Sequence, residues 1–242
     1  MKTIIFMDLD DSIFQTLRKC GDTASLRVGA LGPDGTPFSF LRPNQAHLLD
    51  QVFKDAAIVP ATGRNLNSFR RVTLDFQYGA ILNFGGLVLN PAGEIDQEWL
   101  ADIRPRCQAA RGRLFEAQAK AEAFSNQNGL GCRIRLITDQ EIDFYLQAKS
   151  LNGRNEELDE IRALFEEDFQ DFLIYRNDNN LALLPSFLNK ARALRFHLDK
   201  HLEPLGPDRL VLALGDSLAD VEFMKLCDYM IIPVGSQLER RL

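Results

Sequence analysis

The chain has 242 residues, 45% of them hydrophobic and 26% charged, with a net charge of −6. This is the composition of an ordinary globular protein, which excludes a disordered chain, and the acidic balance supplies no basic stripe for nucleic acid while still allowing a local cation cluster to take a small anion. The four cysteines, Cys20, Cys107, Cys132 and Cys227, fall at no metal or redox spacing and are expected to be reduced thiols.

Along the chain, residues 3–7 form a short continuous apolar run, suited to a strand covered on both faces. The apolar part of this start is too short for a signal peptide, and no stretch approaches the roughly 18 apolar residues of a membrane span. A cytoplasmic protein with no membrane partner is the expectation. Between 12 and 43, the turn Pro33-Asp34-Gly35 separates apolar segments at 28–31 and 38–41, which predicts a hairpin, either a flap over a site or surface decoration. A helix is predicted over 44–54, a strand over 56–59, a helix over 66–76 and a strand over 80–82. Past Asn83-Phe84-Gly85-Gly86 comes a hairpin-like stretch, 87–95, and then a long polar helix over about 99–124.

Two strands at 132–138 and 142–147 follow, the first alternating Arg133/Ile134/Arg135/Leu136 as a half-exposed strand should. A helix over 155–169 and strands at 172–176 and 181–184 repeat the order, so 86–184 reads as an inserted α+β module, αββαββ. After Pro185-Ser186 the pattern returns to a helix over 190–202 and a buried strand over 210–214. Outside the insert, strands and helices alternate. That predicts an α/β core of residues 1–85 and 185–242, a doubly wound, Rossmann-like parallel sheet that binds ligands beyond the carboxyl ends of its strands.

Asp8-Leu9-Asp10-Asp11-Ser12 sits where the first strand should end. Alone, this pattern is a weak signal that a solvated acidic turn would also produce. Its company makes it specific: Thr62-Gly63-Arg64 at a second strand end, Lys190 opening a helix, and Gly215-Asp216-Ser217-Leu218-Ala219-Asp220 ending the last buried strand. In this order and spacing the four pieces resemble the haloacid dehalogenase superfamily of phosphohydrolases. The insert between the second and third pieces, linked through Asn83 to Gly86, looks like the cap of the branch that contains sucrose-phosphate, trehalose-phosphate and Cof-type phosphatases.

The resemblance implies a Mg2+-dependent phosphatase acting on a small phosphate monoester, a sugar phosphate or glycosylated phosphoglycerate, through an aspartyl-phosphate. Asp8 would be the nucleophile, a covalent route that divides one of the slowest reactions in biology into two steps. Asp8, Asp216 and the backbone carbonyl of Asp10 would hold the Mg2+, and Asp220 would orient water on that ion or Lys190. Asp10 would protonate the leaving oxygen and then deprotonate the hydrolytic water, which distinguishes a phosphatase from a dehalogenase. Ser12, Thr62 and Gly63 would meet the phosphate, and Lys190 would stabilise both Asp8 and the phosphoryl group. Arg64, next to Thr62, is expected either to grip a substrate anion or to be solvated at the surface.

This sequence departs from the usual pattern at Ser12, where threonine is commoner, at Asp11, where many members have glycine, and at Ala219, where many have asparagine. A closing cap would set substrate identity, with Arg133, Arg135, Tyr145 and Lys149 as candidate contacts, although any one of them reads more readily as solvated surface. His47, His197 and His201 lie on predicted helices and read as packing or surface residues. A phosphomutase of the same superfamily and a non-catalytic phospho-acceptor domain are the alternatives. A monomer or homodimer is expected.

Overall fold

The computed structural model describes residues 2–21 and 25–242; Met1 and residues 22–24, the latter within the segment 12–43, lie outside it. The chain folds as two compact units, the first running to Gln97 and resuming at Asn189, the second spanning Glu98–Leu188.

The first unit begins with β1 (Lys2–Met7), then β2 (Gln15–Thr16), β3 (Arg27–Leu31) and β4 (Pro37–Leu41). α1 (Pro43–His47) runs on into a π-helical turn, Leu48–Val52, and β5 (Ala57–Pro60), α2 (Leu66–Phe69), β6 (Ala80–Leu82) and β7 (Leu87–Leu89) follow. The second unit contains α3 (Gln97–Gln127), whose first residue belongs to the first unit, then β8 (Cys132–Asp139), β9 (Ile142–Ser150), α4 (Glu157–Asp168), β10 (Phe172–Asn177) and β11 (Asn180–Pro185). Back in the first unit come α5 (Lys190–Lys200), β12 (Arg209–Leu214), α6 (Val221–Met224) and β13 (Tyr229–Ile231).

The first unit is built on a parallel sheet in the order β13-β12-β1-β5. β1 lies in its middle, paired from Lys2↔Arg209 to Met7↔Leu214 on one side and from Ile4↔Ala57 to Met7↔Pro60 on the other. A bridge between Ala61 and Ile81 carries the sheet on to β6, which pairs antiparallel with β7. The unbroken apolar run of β1 follows from cover on both faces. Ile5 and Met7 join a core with Leu49 and Phe53, while Phe6 turns the other way, its ring edge-on to His197 of α5. Ile4 to Met7 are wholly buried, each worth about 1.5–3 kcal/mol of hydrophobic stabilisation.

The hairpin expected between 12 and 43 forms as β3 and β4, closed by a turn in which Asp34 Oδ1 accepts from the Thr36 N–H and hydroxyl at 3.1 and 2.7 Å. β2 adds to β4, giving a three-stranded antiparallel sheet. Phe14, Ala30 and Leu41 of this region are fully buried in the same cluster as Ile5 and Met7. Gln15 and Gln45, both buried, exchange side-chain hydrogen bonds of 3.2 and 2.9 Å and so tie β2 to α1.

One expectation is corrected. The helix predicted over 66–76 stops at Phe69, because residues 71–73 give their backbone to the edge of β3. Leu31 N–H donates to Arg71 O at 2.8 Å and Thr73 N–H to Gly29 O at 3.0 Å, an extended pairing that suits β-branched Val72 and Thr73. The insert is expected at 86–184, and the second compact unit runs from Glu98 to Leu188. The stretch 87–95 stays with the first unit because β7 pairs with β6 from Ala80↔Leu89 to Leu82↔Leu87.

The second unit is an antiparallel sheet, β10-β11-β9-β8, with helices on one face. Leu114, Ala117 and Ala121 of α3 and Leu158, Ile161 and Phe165 of α4 recur at helical spacing and meet Leu146, Ala148, Leu181 and Leu183 of the sheet. All four cysteines are free. Among the described residues no helix is long and apolar enough to cross a membrane.

Candidate active site

β1 ends against its neighbours, with Asp8 N–H donating to Leu214 O at 2.8 Å and Ala61 N–H to Met7 O at 2.7 Å. The chain then turns sharply. Ile13 and Phe14 N–H both reach back to Leu9 O, at 3.0 and 3.2 Å, and Asp11 takes a positive φ of 65°, which an aspartate tolerates better than most residues. This turn keeps Asp8 and Ser12 buried and together: the Ser12 hydroxyl lies 3.4 Å from Asp8 Oδ2 and 3.2 Å from Asp216 Oδ1. Asp11 pairs instead with Lys19 at 2.7 Å.

Asp216 and Asp220 come from the loop after β12, the strand next to β1. Asp220 is fully buried, and its Oδ2 accepts from both the N–H and the hydroxyl of Ser217, at 3.0 and 2.8 Å. Lys190, the first residue of α5, is buried between the two strand ends and donates to Asp8 Oδ1 at 2.8 Å and Asp220 Oδ1 at 2.7 Å. The start of α5 is fixed by Asn189, whose side chain accepts from Ala191 N–H at 2.7 Å. Gly85 makes room for that start, since at φ +97° a Cβ there would lie 2.5 Å from Asn189 O.

One carboxylate oxygen each from Asp8, Asp216 and Asp220 lies within 4.8 Å of the others. Lys190 brings one positive charge to two of these three buried carboxylates. Burial, opposed by Lys190 and reinforced by Asp220 and Asp216, raises Asp8 well above the usual carboxylate range. Burial and then Asp220 and Asp11 push Asp216 up to about 7. Burial works against the charge on Lys190, but Asp220 and Asp8 outweigh it, so the ammonium is held above its ordinary value. Three buried hard oxygen donors with surplus negative charge form a donor set suited to a divalent cation.

Thr62 follows β5 and is buried; its hydroxyl oxygen accepts from Arg64 N–H at 3.2 Å. Gly63 lets Phe84 approach, for a Cβ there would stand 2.5 Å from the Phe84 ring. Arg64 does not stand open. Its Nε and Nη2 donate to the two oxygens of Asp10, both at 2.6 Å, its Nη1 lies 3.3 Å from Ser68 O, and its guanidinium sits 5.0 Å from the centre of the Phe14 ring. Burial disfavours the Arg64 charge, yet Asp10 beside it holds the guanidinium above its usual range.

Sequence reasoning passed over Phe84 and Ser217. Phe84, at φ 54°, places its ring 5.6 Å from Lys190 Nζ, and Asn83 before it is also at positive φ, 51°. The string Asn-Phe-Gly-Gly carried that turn signal, but nothing in it announced an aromatic wall. Ser217, which anchors Asp220, was visible only as part of a motif.

In the second unit, Arg133 and Lys149 are register partners, Arg135 donates twice to Gln147 Oε1 at 3.2 and 3.1 Å, and Tyr145 is buried. Of the histidines, His197 is buried in α5 with Nε2 2.7 Å from Tyr78 O, and burial pushes it down to about 4. None of the three joins the acidic cluster.

The chain is similar to the sucrose-phosphatase of Synechocystis sp. PCC6803, solved with sucrose and phosphate, at 18% identity and a TM-score of 0.52 over 100% of this chain and 86% of that one. It is similar to the trehalose-6-phosphate phosphatase C-terminal domain of C. albicans at 14% identity and a TM-score of 0.59, over 93% of this chain and 72% of that one. A Streptococcus mutans UA159 protein matches at 14% identity and a TM-score of 0.55, over 100% and 91%. At these identities the likeness is one of fold. A search of curated proteins found no match. The family model of sucrose-6F-phosphate phosphohydrolase matches residues 42–242, a span that takes in Thr62, Lys190, Asp216 and Asp220. The chain therefore belongs to the sucrose-6F-phosphate phosphohydrolase family, phosphoric monoester hydrolases of the haloacid dehalogenase superfamily.

Proposed function

We propose that the chain is a Mg2+-dependent phosphatase that hydrolyses a sugar phosphate through an acyl-phosphate on Asp8. The observation that carries this reading is the gathering of Asp8, Asp216 and Asp220 within 4.8 Å, with Lys190 bridging Asp8 and Asp220. Asp8, Asp216 and Asp220 supply the oxygens that would hold the ion. Bound there, Mg2+ would neutralise charge on the carboxylates and the phosphoryl group, as a Lewis acid does in phosphoryl transfer.

The residues divide the remaining work. Lys190 holds Asp8 Oδ1, so Oδ2, whose contact with Ser12 is a long 3.4 Å, is the oxygen free to attack phosphorus. As the Asp8 oxygen bonds to phosphorus and the bond to the sugar oxygen breaks, Asp10 delivers a proton to that leaving oxygen. Water then attacks the phosphorus of the acyl-phosphate, its proton passes to Asp10, and Asp8 is released with inorganic phosphate. The hydroxyls of Ser12 and Thr62 donate to phosphoryl oxygens, and the Lys190 charge stabilises them. A sugar phosphate is the substrate class that the sucrose-phosphatase and trehalose-phosphate phosphatase relatives support.

The test is phosphate release from sucrose-6F-phosphate, trehalose-6-phosphate and a panel of other sugar phosphates. Activity that EDTA abolishes and Mg2+ restores, and that Asp8→Asn removes while the fold is kept, is expected. Turnover that persists in chelator excludes the metal, and comparable turnover in Asp8→Asn excludes the nucleophile.

A further inference from the structure

We propose that Arg64 is a positioning residue for proton transfer, acting through the carboxyl of Asp10 rather than gripping the substrate's phosphoryl group. The inference rests on the phosphatase reading above, in which Asp10 is both acid and base, and it replaces the anion-gripping role expected from sequence.

The guanidinium is committed on three sides. Its Nε and Nη2 donate to the two Asp10 oxygens at 2.6 Å each, a bidentate fork, which is the strongest geometry an arginine and a carboxylate can form. Its Nη1 is 3.3 Å from Ser68 O, and its plane lies over Phe14. Its backbone N–H is held by Thr62 Oγ1. Exposure is unequal across the pair: the Arg64 side chain is 13% exposed and that of Asp10 50%. The arginine is thus the fixed wall, and the carboxyl is the part that faces outward. To grip a phosphoryl group with the same edge, Arg64 would have to abandon both bonds to Asp10.

A carboxylate has about four lone-pair sites, so a fork that takes one on each oxygen leaves the outer pair for chemistry. A proton on an outer site passes to the bridging ester oxygen as the bond from Asp8 to phosphorus forms and the bond to the leaving group breaks. The negative charge this leaves on Asp10 is met by the guanidinium already in place. In the second step the proton of the attacking water goes to the same outer site as the bond from phosphorus to Asp8 breaks. The fork gives Asp10 one orientation for both transfers, and a single ammonium could not span its two oxygens.

The experiment compares kcat/KM for phosphate esters graded by leaving-group basicity, from nitrophenyl phosphate to alkyl and sugar phosphates, in wild type, Asp10→Asn, Arg64→Ala and the double variant. A nitrophenolate departs without a proton and a sugar alkoxide does not, so loss of the acid steepens the dependence on leaving group. Arg64→Ala is expected to lose roughly 10- to 100-fold on sugar phosphates and under about 3-fold on nitrophenyl phosphate, with little change in KM. The double variant is expected to match Asp10→Asn, because the two residues act as one unit. Equal loss on every ester with a raised KM, multiplying with the Asp10→Asn effect, would overturn the proposal and return Arg64 to phosphoryl binding. If Asp10→Asn itself leaves the leaving-group dependence unchanged, the acid assignment fails first, a separate result. Arg64→Lys, read in the same way, serves if the alanine variant does not fold, and a wild-type dependence in it would also overturn the fork.

Discussion

Lys190→Met tests the electrostatics of the cluster most directly. Methionine keeps the length of the stem and removes the charge, leaving Asp8 and Asp220 without the ammonium that sits at 2.8 and 2.7 Å. The three side chains are 3%, 9% and 0% exposed, so water screens little of the loss. Removing one partner of such a buried pair costs about 3–5 kcal/mol. A second route gives a ceiling of similar size. The variant can escape by protonating a carboxylate whose ordinary value is 3.8, at a cost near pH 7 of about 4 kcal/mol. Near pH 5 the same escape costs about 1.6 kcal/mol.

The sign follows. The unfolded carboxylates are ionised at both pH values, and the folded wild type itself takes up protons toward pH 5 because Asp8 and Asp216 are raised. The variant, without the opposing charge of Lys190, takes up at least one more, so its stability rises faster than that of wild type as pH falls and the deficit shrinks from its value of about 4 kcal/mol at pH 7. The assay is urea unfolding in EDTA followed by circular dichroism, with amide exchange in peptides covering β1 and β12 to report on the first unit itself. Adding Asp220→Asn to the variant should recover part of the loss. A variant within about 1 kcal/mol of wild type at pH 7, with no pH dependence, would show that the cluster is not held by charge as argued.

Three further outcomes are expected. His197 is buried and neutral, pushed down to about 4 from 6.5 by burial, with His201 lowering it further and Tyr78 O and Asp96 opposing. Because the unfolded imidazole binds a proton first, stability is lost as pH falls from 6.5 toward 4, by up to about 3 kcal/mol with Mg2+ present, and His197→Gln should flatten that limb of a urea-midpoint profile. Gly85→Ala should cost about 2 kcal/mol or more, because φ +97° disfavours a side chain and its Cβ would lie 2.5 Å from Asn189 O; a thermal melt checks the stability and phosphate release the displacement of Lys190. Phe84→Ala opens the wall beside Gly63 and Lys190; because the ring is half-buried, a loss of about 1–3 kcal/mol is expected, below that of a core aromatic and read again from urea midpoints.

Most of the scaffold was legible because the strands of the first unit are buried on both faces and so read as unbroken apolar runs, as in β1 and β12. The second unit's order was legible from alternation in β8 and helical spacing in α3 and α4. Where the reading failed, a contact distant in sequence decided the outcome. Residues 71–73 have a helical pattern, but the free edge of β3 captures their backbone. In the site, motif and strand end together pointed to Asp8, Lys190, Asp216 and Asp220. They could not say that Arg64 would close on Asp10, since the fork depends on Phe14 and Ser68, residues no motif includes.

The three-stranded sheet of β2, β3 and β4 is no ornament: Phe14, Ala30 and Leu41 are sealed into the interior with Ile5 and Met7 of β1, and the paired amides of Gln15 and Gln45 stitch its root to α1. A variant trimmed from 15 to 41 would therefore bare the greasy underside of β1. Its failure would show as aggregation during synthesis rather than as a change in substrate preference.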